Sequence, residues 1–186
     1  MRASHSTLSL LAAVGLAGSS AFADDAQPEA PDAKVSTGPC AAELYRGFDF
    51  WLGTWSVADG EGAVQGINRI TSEESGCVIV ERWTSATGGT GQSYNYIDPA
   101  TGNWRQVWVS AGLNIDYEGG LTETGSMRLE GTITYRSGAQ FPFTGEWTPQ
   151  TDGTVRQYFE QYNPNTDAWD PWFLGIYTRV EGDTGG

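Results

Sequence analysis

The chain has 186 residues, with 23 acidic side chains against 10 basic ones and a formal net charge of −13. So negative a surface repels phosphate backbones and anionic lipid, so neither nucleic acid nor a membrane surface is an expected partner. The single histidine, His5, and the only lysine, Lys34, both precede the folded body, which excludes Ser-His-Asp and Cys-His nucleophiles, His-ligated zinc or haem, and Schiff-base lysines there; no cofactor is expected.

Residues 1–23 read as an export signal. Arg2 forms a short cationic start, residues 8–17 are apolar apart from Ser9, and Ala21-Phe22-Ala23 supplies an A-x-A cleavage site. The apolar run is too short for a permanent anchor, and no second run follows, so a soluble periplasmic or secreted protein without a membrane span is expected. Residues 24–39 are rich in Pro, Ala and Asp without apolar periodicity and read as a disordered linker. Residues 40–181 are expected to form one domain, and residues 182–186 a flexible tail. In an oxidising compartment Cys40 and Cys77 are expected to pair.

Residues 40–52 open with Ala41, Ala42, Glu43 and Leu44, which favour a short helix. Then FDFWLGTWSV concentrates Phe48, Phe50, Trp51 and Trp55 around Gly53. Beyond Gly53 the texture is that of strands. Runs of Val, Ile, Thr, Tyr and Trp alternate with nine turn signals, at 59–62, 73–76, 87–91, 98–103, 110–114, 118–125, 136–140, 148–153 and 163–168. They delimit ten short strands with hairpin connections. An up-and-down antiparallel sheet of that size leaves long edges unless it closes, so the expected fold is an all-β, roughly ten-stranded barrel.

Residues 127–136 alternate apolar and polar residues, as a half-buried strand requires. Other strands mix the two classes on both faces. Trp104, Gln106 and Trp108 share one face, opposite Arg105, Val107 and Val109, and Ser93 and Asn95 lie opposite Tyr94 and Tyr96. Mixed faces suit a polar-aromatic lumen better than a dry sandwich core. The candidate lumen residues are Asn68, Glu81, Trp83, Ser93, Asn95, Gln106, Trp108 and Gln157; Glu160 has the opposite parity to Gln157. A pocket of amides, a carboxylate and indoles orients a small amphipathic ligand and supplies apolar contact. The arginines fall about one per strand and are expected mostly on the outer face. No acidic cluster has the spacing of a calcium loop, and no metal site is expected.

The Gly53-x-Trp55 triplet on the first strand and Arg179 in the terminal GIYTR resemble the closed end of calycin barrels, the group of lipocalins, fatty-acid-binding proteins and nitrobindins. More closely, FDFWLGTW, GIN, SGCVIVERW, GQSYNYID, WRQVWV, TPQTDGTVRQYFEQ and GIYTR, spread over about residues 40–180, resemble a family of uncharacterised exported bacterial proteins with such a barrel. The resemblance implies a plug built on Trp51 and Trp55, with Arg179 stacked on Trp55. It implies no haem, because the nitrobindin-like haem site uses a histidine that the barrel segment lacks. The functional expectation is a non-catalytic exported protein that binds a small apolar or amphipathic molecule. Two alternatives stay open: a histidine-free enzyme, using carboxylates for isomerisation or (with a pair such as Glu81 and Glu160) glycoside cleavage, and a protein-interaction module with a filled lumen.

Overall fold

In the structure, a computed structural model, residues 38–180 are described. The expected export signal, the linker up to residue 37 and the tail lie outside them. Ten strands follow in order: β1 (Gly53–Ala58), β2 (Val64–Glu73), β3 (Val78–Ser85), β4 (Thr90–Ile97), β5 (Trp104–Ser110), β6 (Leu113–Leu121), β7 (Met127–Tyr135), β8 (Gln140–Pro149), β9 (Val155–Asn163) and β10 (Ala168–Arg179). Each is antiparallel to the next, and β1 pairs with β10, with Trp55 opposite Arg179. The sheet is therefore the closed up-and-down barrel that the turn spacing predicts. Closure gives every strand two hydrogen-bonded neighbours and removes the edges.

Strand parity decides what fills the barrel. On β7 Met127, Leu129 and Ile133 are fully buried and alternate with more accessible residues. On β4 the usual assignment is inverted: Ser93 and Asn95 are buried while Tyr94 is half exposed. One turn differs from expectation. β6 continues through Gly119 and Gly120 to Leu121, so its turn is confined to residues 122–126. A Cβ at Gly119 would run into the Arg128 carbonyl oxygen on β7, so this glycine permits a close strand approach and does not mark a turn.

The expected N-terminal helix is two 3₁₀ turns, Glu43–Arg46 and Asp49–Trp51. A segment this short does not sustain an α-helix by itself; docking fixes it instead. Phe48 and Trp51 are fully buried, with Phe48 centred 5.4 Å from Trp104, 5.3 Å from Trp147 and 5.2 Å from Trp51. The Trp55 indole N–H donates to the Trp51 carbonyl at 2.9 Å. Large rings meeting edge-on and tilted fill this end of the barrel and remove extensive apolar area from water.

Two ties fasten the plug to the wall. Cys40 and Cys77 form a disulfide, and Arg46 donates to the backbone carbonyls of Gly76 at 3.0 Å and Cys40 at 3.3 Å. The bridge closes a loop with a sequence separation of 37, worth about 4 kcal/mol on the chain-entropy argument.

Candidate functional site

Above the plug, inward-facing polar side chains from seven strands join into one hydrogen-bonded chain. Tyr177 on β10 donates to Gln157 on β9 and accepts from Asn68 Nδ2 on β2 at 3.1 Å. The same Asn68 amide donates to Glu81 Oε1 on β3 at 2.6 Å, and Ser93 on β4 donates to Glu81 Oε2, also at 2.6 Å. Asn95 donates to Ser93 Oγ and to the Ile79 carbonyl, both at 3.0 Å. Gln106 on β5 donates to Asn95, and Tyr117 on β6 donates to Gln106. All eight side chains are buried. Such a chain is cohesive because each member satisfies a group that would otherwise be buried without a partner.

Glu81 is the one carboxylate in this layer, and no basic side chain pairs with it among the described residues. Burial pushes its carboxyl up to about 7, against the opposing effect of the hydrogen bonds from Ser93 and Asn68. Tyr117 and Tyr177 are driven well above the ordinary phenol range, first by burial and then by the neighbouring Glu81 charge, so both stay neutral.

A cavity of about 160 Å³ lies on the other side of this layer from the plug. Its polar surface comes from Glu81, Gln106, Gln157, Tyr117 and Tyr177. Its apolar wall comes from Trp83, Trp108, Ile115 and Phe159, with Trp172 and Phe173 on β10. Gly91 makes room for one wall: a Cβ there would collide with the Trp108 ring. Trp172 is 39% exposed, and its indole N–H donates to the Tyr135 hydroxyl at 3.2 Å. Its ring is centred 5.3 Å from Phe143.

Of the side chains picked out in the sequence, Glu81, Trp83, Gln106, Trp108 and Gln157 line the cavity together. Asn68, Ser93 and Asn95 do not line it; they stand behind Glu81 and Gln106 as hydrogen-bond partners. Glu160 keeps the outer parity of β9 and is not among the lining residues, so it does not form a carboxylate pair with Glu81 there. Five lining aromatics were not among the sequence candidates; of these, Phe159 shares the inward parity of Gln157. Tyr117 and Tyr177 had a usable signal, since Tyr117 shares the parity of Ile115 and Tyr177 that of Arg179. Trp172 and Phe173 are adjacent, and adjacent strand residues point to opposite faces. The β9–β10 register shifts between Pro171 and Phe173, and this bulge brings both rings to the cavity.

The arginines among the described residues face outward or lie at the barrel ends. Arg82 pairs with Glu73, Arg105 with Asp98 and Asp116, and Arg128 with Glu130 and Glu146, all on the accessible surface. Among the described residues no three His, Cys, Asp or Glu side chains converge as a metal site, and no helix is long and apolar enough to cross a membrane. The chain matches no protein-family model and no curated protein sequence.

Proposed function

We propose that this chain is an exported, non-catalytic barrel that binds a small amphipathic molecule in its lumen. One observation carries the reading: a cavity of about 160 Å³ sits between a fastened plug and an aromatic mouth, with a polar floor and an apolar wall. Protein interiors leave few voids larger than a water molecule, so a space of this size supports a binding lumen over a filled one. The same order of volume, about 150 Å³, holds a benzene-sized guest in an engineered protein cavity. The enclosed part therefore suits about six to ten non-hydrogen atoms, and a steroid or haem is too large for it. The resemblance to calycin barrels supports the same reading, as does the disulfide for an exported chain.

The test is a tryptophan-fluorescence titration with small aromatic and aliphatic compounds. Trp83, Trp108 and Trp172 all line the cavity, so an occupant should change their emission. Saturable changes that Gln106→Ala weakens support the reading. A spectrum that no compound of this size alters overturns it.

A second reading rests on Glu81 alone. A cavity carboxyl that titrates near neutrality can act as a single general base for a proton shift. Turnover of a bound carbonyl compound, lost in Glu81→Gln while its binding persists, would favour that enzyme over the binding protein. Glycoside cleavage by two carboxylates has no second carboxylate in the cavity lining to support it.

A further inference from the structure

We propose that the lumen selects a small organic cation, a protonated amine or quaternary ammonium with an apolar body, whose charged head sits against Glu81. The inference rests on the lumen being a binding site and names the chemical class it takes.

Charge is the first argument. Glu81 is the only acidic or basic residue among those lining the cavity. The groups packed around it are Asn68 from β2, Ser93 from β4, Tyr117 from β6 and Tyr177 from β10, and none can carry a positive charge. Every arginine among the described residues lies outside the cavity lining. A buried carboxylate without a counter-ion is unfavourable, and a bound cation supplies that counter-ion. A neutral guest leaves the charge uncompensated. A carboxylate-bearing guest brings a second negative charge to the same place.

Hydrogen-bonding capacity is the second. A carboxylate has about four acceptor positions. Asn68 and Ser93 occupy one on each oxygen of Glu81. Both partners donate to the carboxylate, an arrangement that holds the charged form and leaves acceptor positions unspent. Since Glu81 also borders the cavity, those positions are available to ligand N–H groups.

The walls are the third. Trp83, Trp108 and Trp172 border the same space, and the faces of indole rings attract cations more strongly than those of other aromatic side chains. An acid on the floor with indoles around it favours an ammonium head over an equally sized neutral one. The acidic surface also raises the local concentration of cations outside the barrel.

The experiment uses three probes with the same ring and similar length: 2-phenylethylammonium, 2-phenylethanol and phenylacetate. Each is titrated into the disulfide-bonded protein at pH 8 and pH 5.5, followed by tryptophan fluorescence and calorimetry. At pH 8 the ammonium should bind about tenfold more tightly than the alcohol, and phenylacetate should not saturate. Because Glu81 releases its proton at about 7, lowering the pH to 5.5 should remove most of that tenfold preference and leave the alcohol unchanged. Glu81→Gln should abolish both the preference and its pH dependence. Equal binding of ammonium and alcohol, or tighter binding of phenylacetate, would overturn the cation inference while leaving the lumen as a binding site. If none of the three probes binds, the binding reading falls with it. The comparison among probes needs only the unaltered protein, so it decides the matter even if Glu81→Gln does not fold.

Discussion

The guanidinium of Arg179 lies 4.3 Å from the centre of the Trp55 ring, and the two residues are paired partners where β1 meets β10. The contact thus sits on the seam that closes the barrel. Trp55 is fully buried, whereas Arg179 is exposed on its other side. Stacking here is therefore partly solvated, and the cation–π contact is worth about 0.5–1 kcal/mol, below the value for a desolvated pair.

The two partners should accordingly respond unequally to substitution. Trp55→Ala leaves a large cavity and an unpaired Trp51 carbonyl, and should destabilise by about 3–5 kcal/mol. Arg179→Lys should cost no more than about 1 kcal/mol. Gly53→Ala belongs with them: its Cβ would collide with the Arg179 guanidinium, and its φ of +128° is unfavourable for any other residue. It should cost more than Arg179→Lys despite adding a single methyl group. Urea unfolding of the three variants checks the order, and a Trp55→Ala protein as stable as the parent would refute the seam.

The disulfide fastens the plug, so its loss should act on the plug first. Cys40→Ser with Cys77→Ser should lower stability by about 4 kcal/mol. Near-ultraviolet circular dichroism should lose signal as the Phe48, Trp51 and Trp147 contacts loosen, with the far-ultraviolet barrel signal retained. Thiol titration of the denatured parent should find no free cysteine. Two titratable thiols would contradict the bridge.

Gly91 is a test of the cavity wall. An added methyl group meets the Trp108 ring directly, so Gly91→Ala must displace the indole. Overpacking of this kind costs about 1–3 kcal/mol. The informative readout is fluorescence: Trp108 emission should shift and probe binding should weaken, although residue 91 carries no polar group. Unchanged emission and unchanged binding would place Trp108 outside the site.

Legibility of this chain followed the locality of each feature. Turn chemistry and alternation are short-range, so the ten strands and the inward parity of Met127, Leu129, Gln106 and Gln157 could be read directly. Even the inversion on β4 was visible, because Ser93 and Asn95 share the parity of Ile97 and oppose two tyrosines. Which inward residues border space and which border one another is not a local property. Asn68, Ser93 and Asn95 look the same in sequence as Gln106, yet they stand behind the cavity because neighbouring strands bring two donors within reach of Glu81 and the acceptor Asn95 within reach of the Gln106 amide. The bulge that turns both Trp172 and Phe173 toward the cavity depends on the β9–β10 register, of which Pro171 within a strand was the sole local sign.

Glu81 should leave a signature in the pH dependence of folding. Its carboxyl is raised from 4.5 to about 7, so the folded barrel holds this proton more tightly than the unfolded chain does. The sign follows: its stabilising contribution is full below about pH 4.5, declines as the pH rises through the window up to about 7, and is gone above it. The separation of those two values corresponds to about 3 kcal/mol. Other groups add their own slopes. Partial burial raises Asp49 despite Arg46, which gives a slope of the same sign at lower pH, whereas hydrogen bonds from Thr71 and Arg82 lower Glu73 and those from Thr154 lower Asp152, which give the opposite sign. Comparing the parent with Glu81→Gln removes these shared contributions. The amide can still accept from Asn68 through its oxygen and donate to Ser93 Oγ through its nitrogen once the Ser93 hydroxyl proton turns away, so both contacts are kept with the charge removed. The stability difference should therefore move in favour of Glu81→Gln as the pH rises from 4.5 to 7 and level off beyond. Urea midpoints at half-unit pH intervals measure it, and parallel curves for the two proteins would show that Glu81 is not the buried, unpaired carboxylate on which the cation site depends.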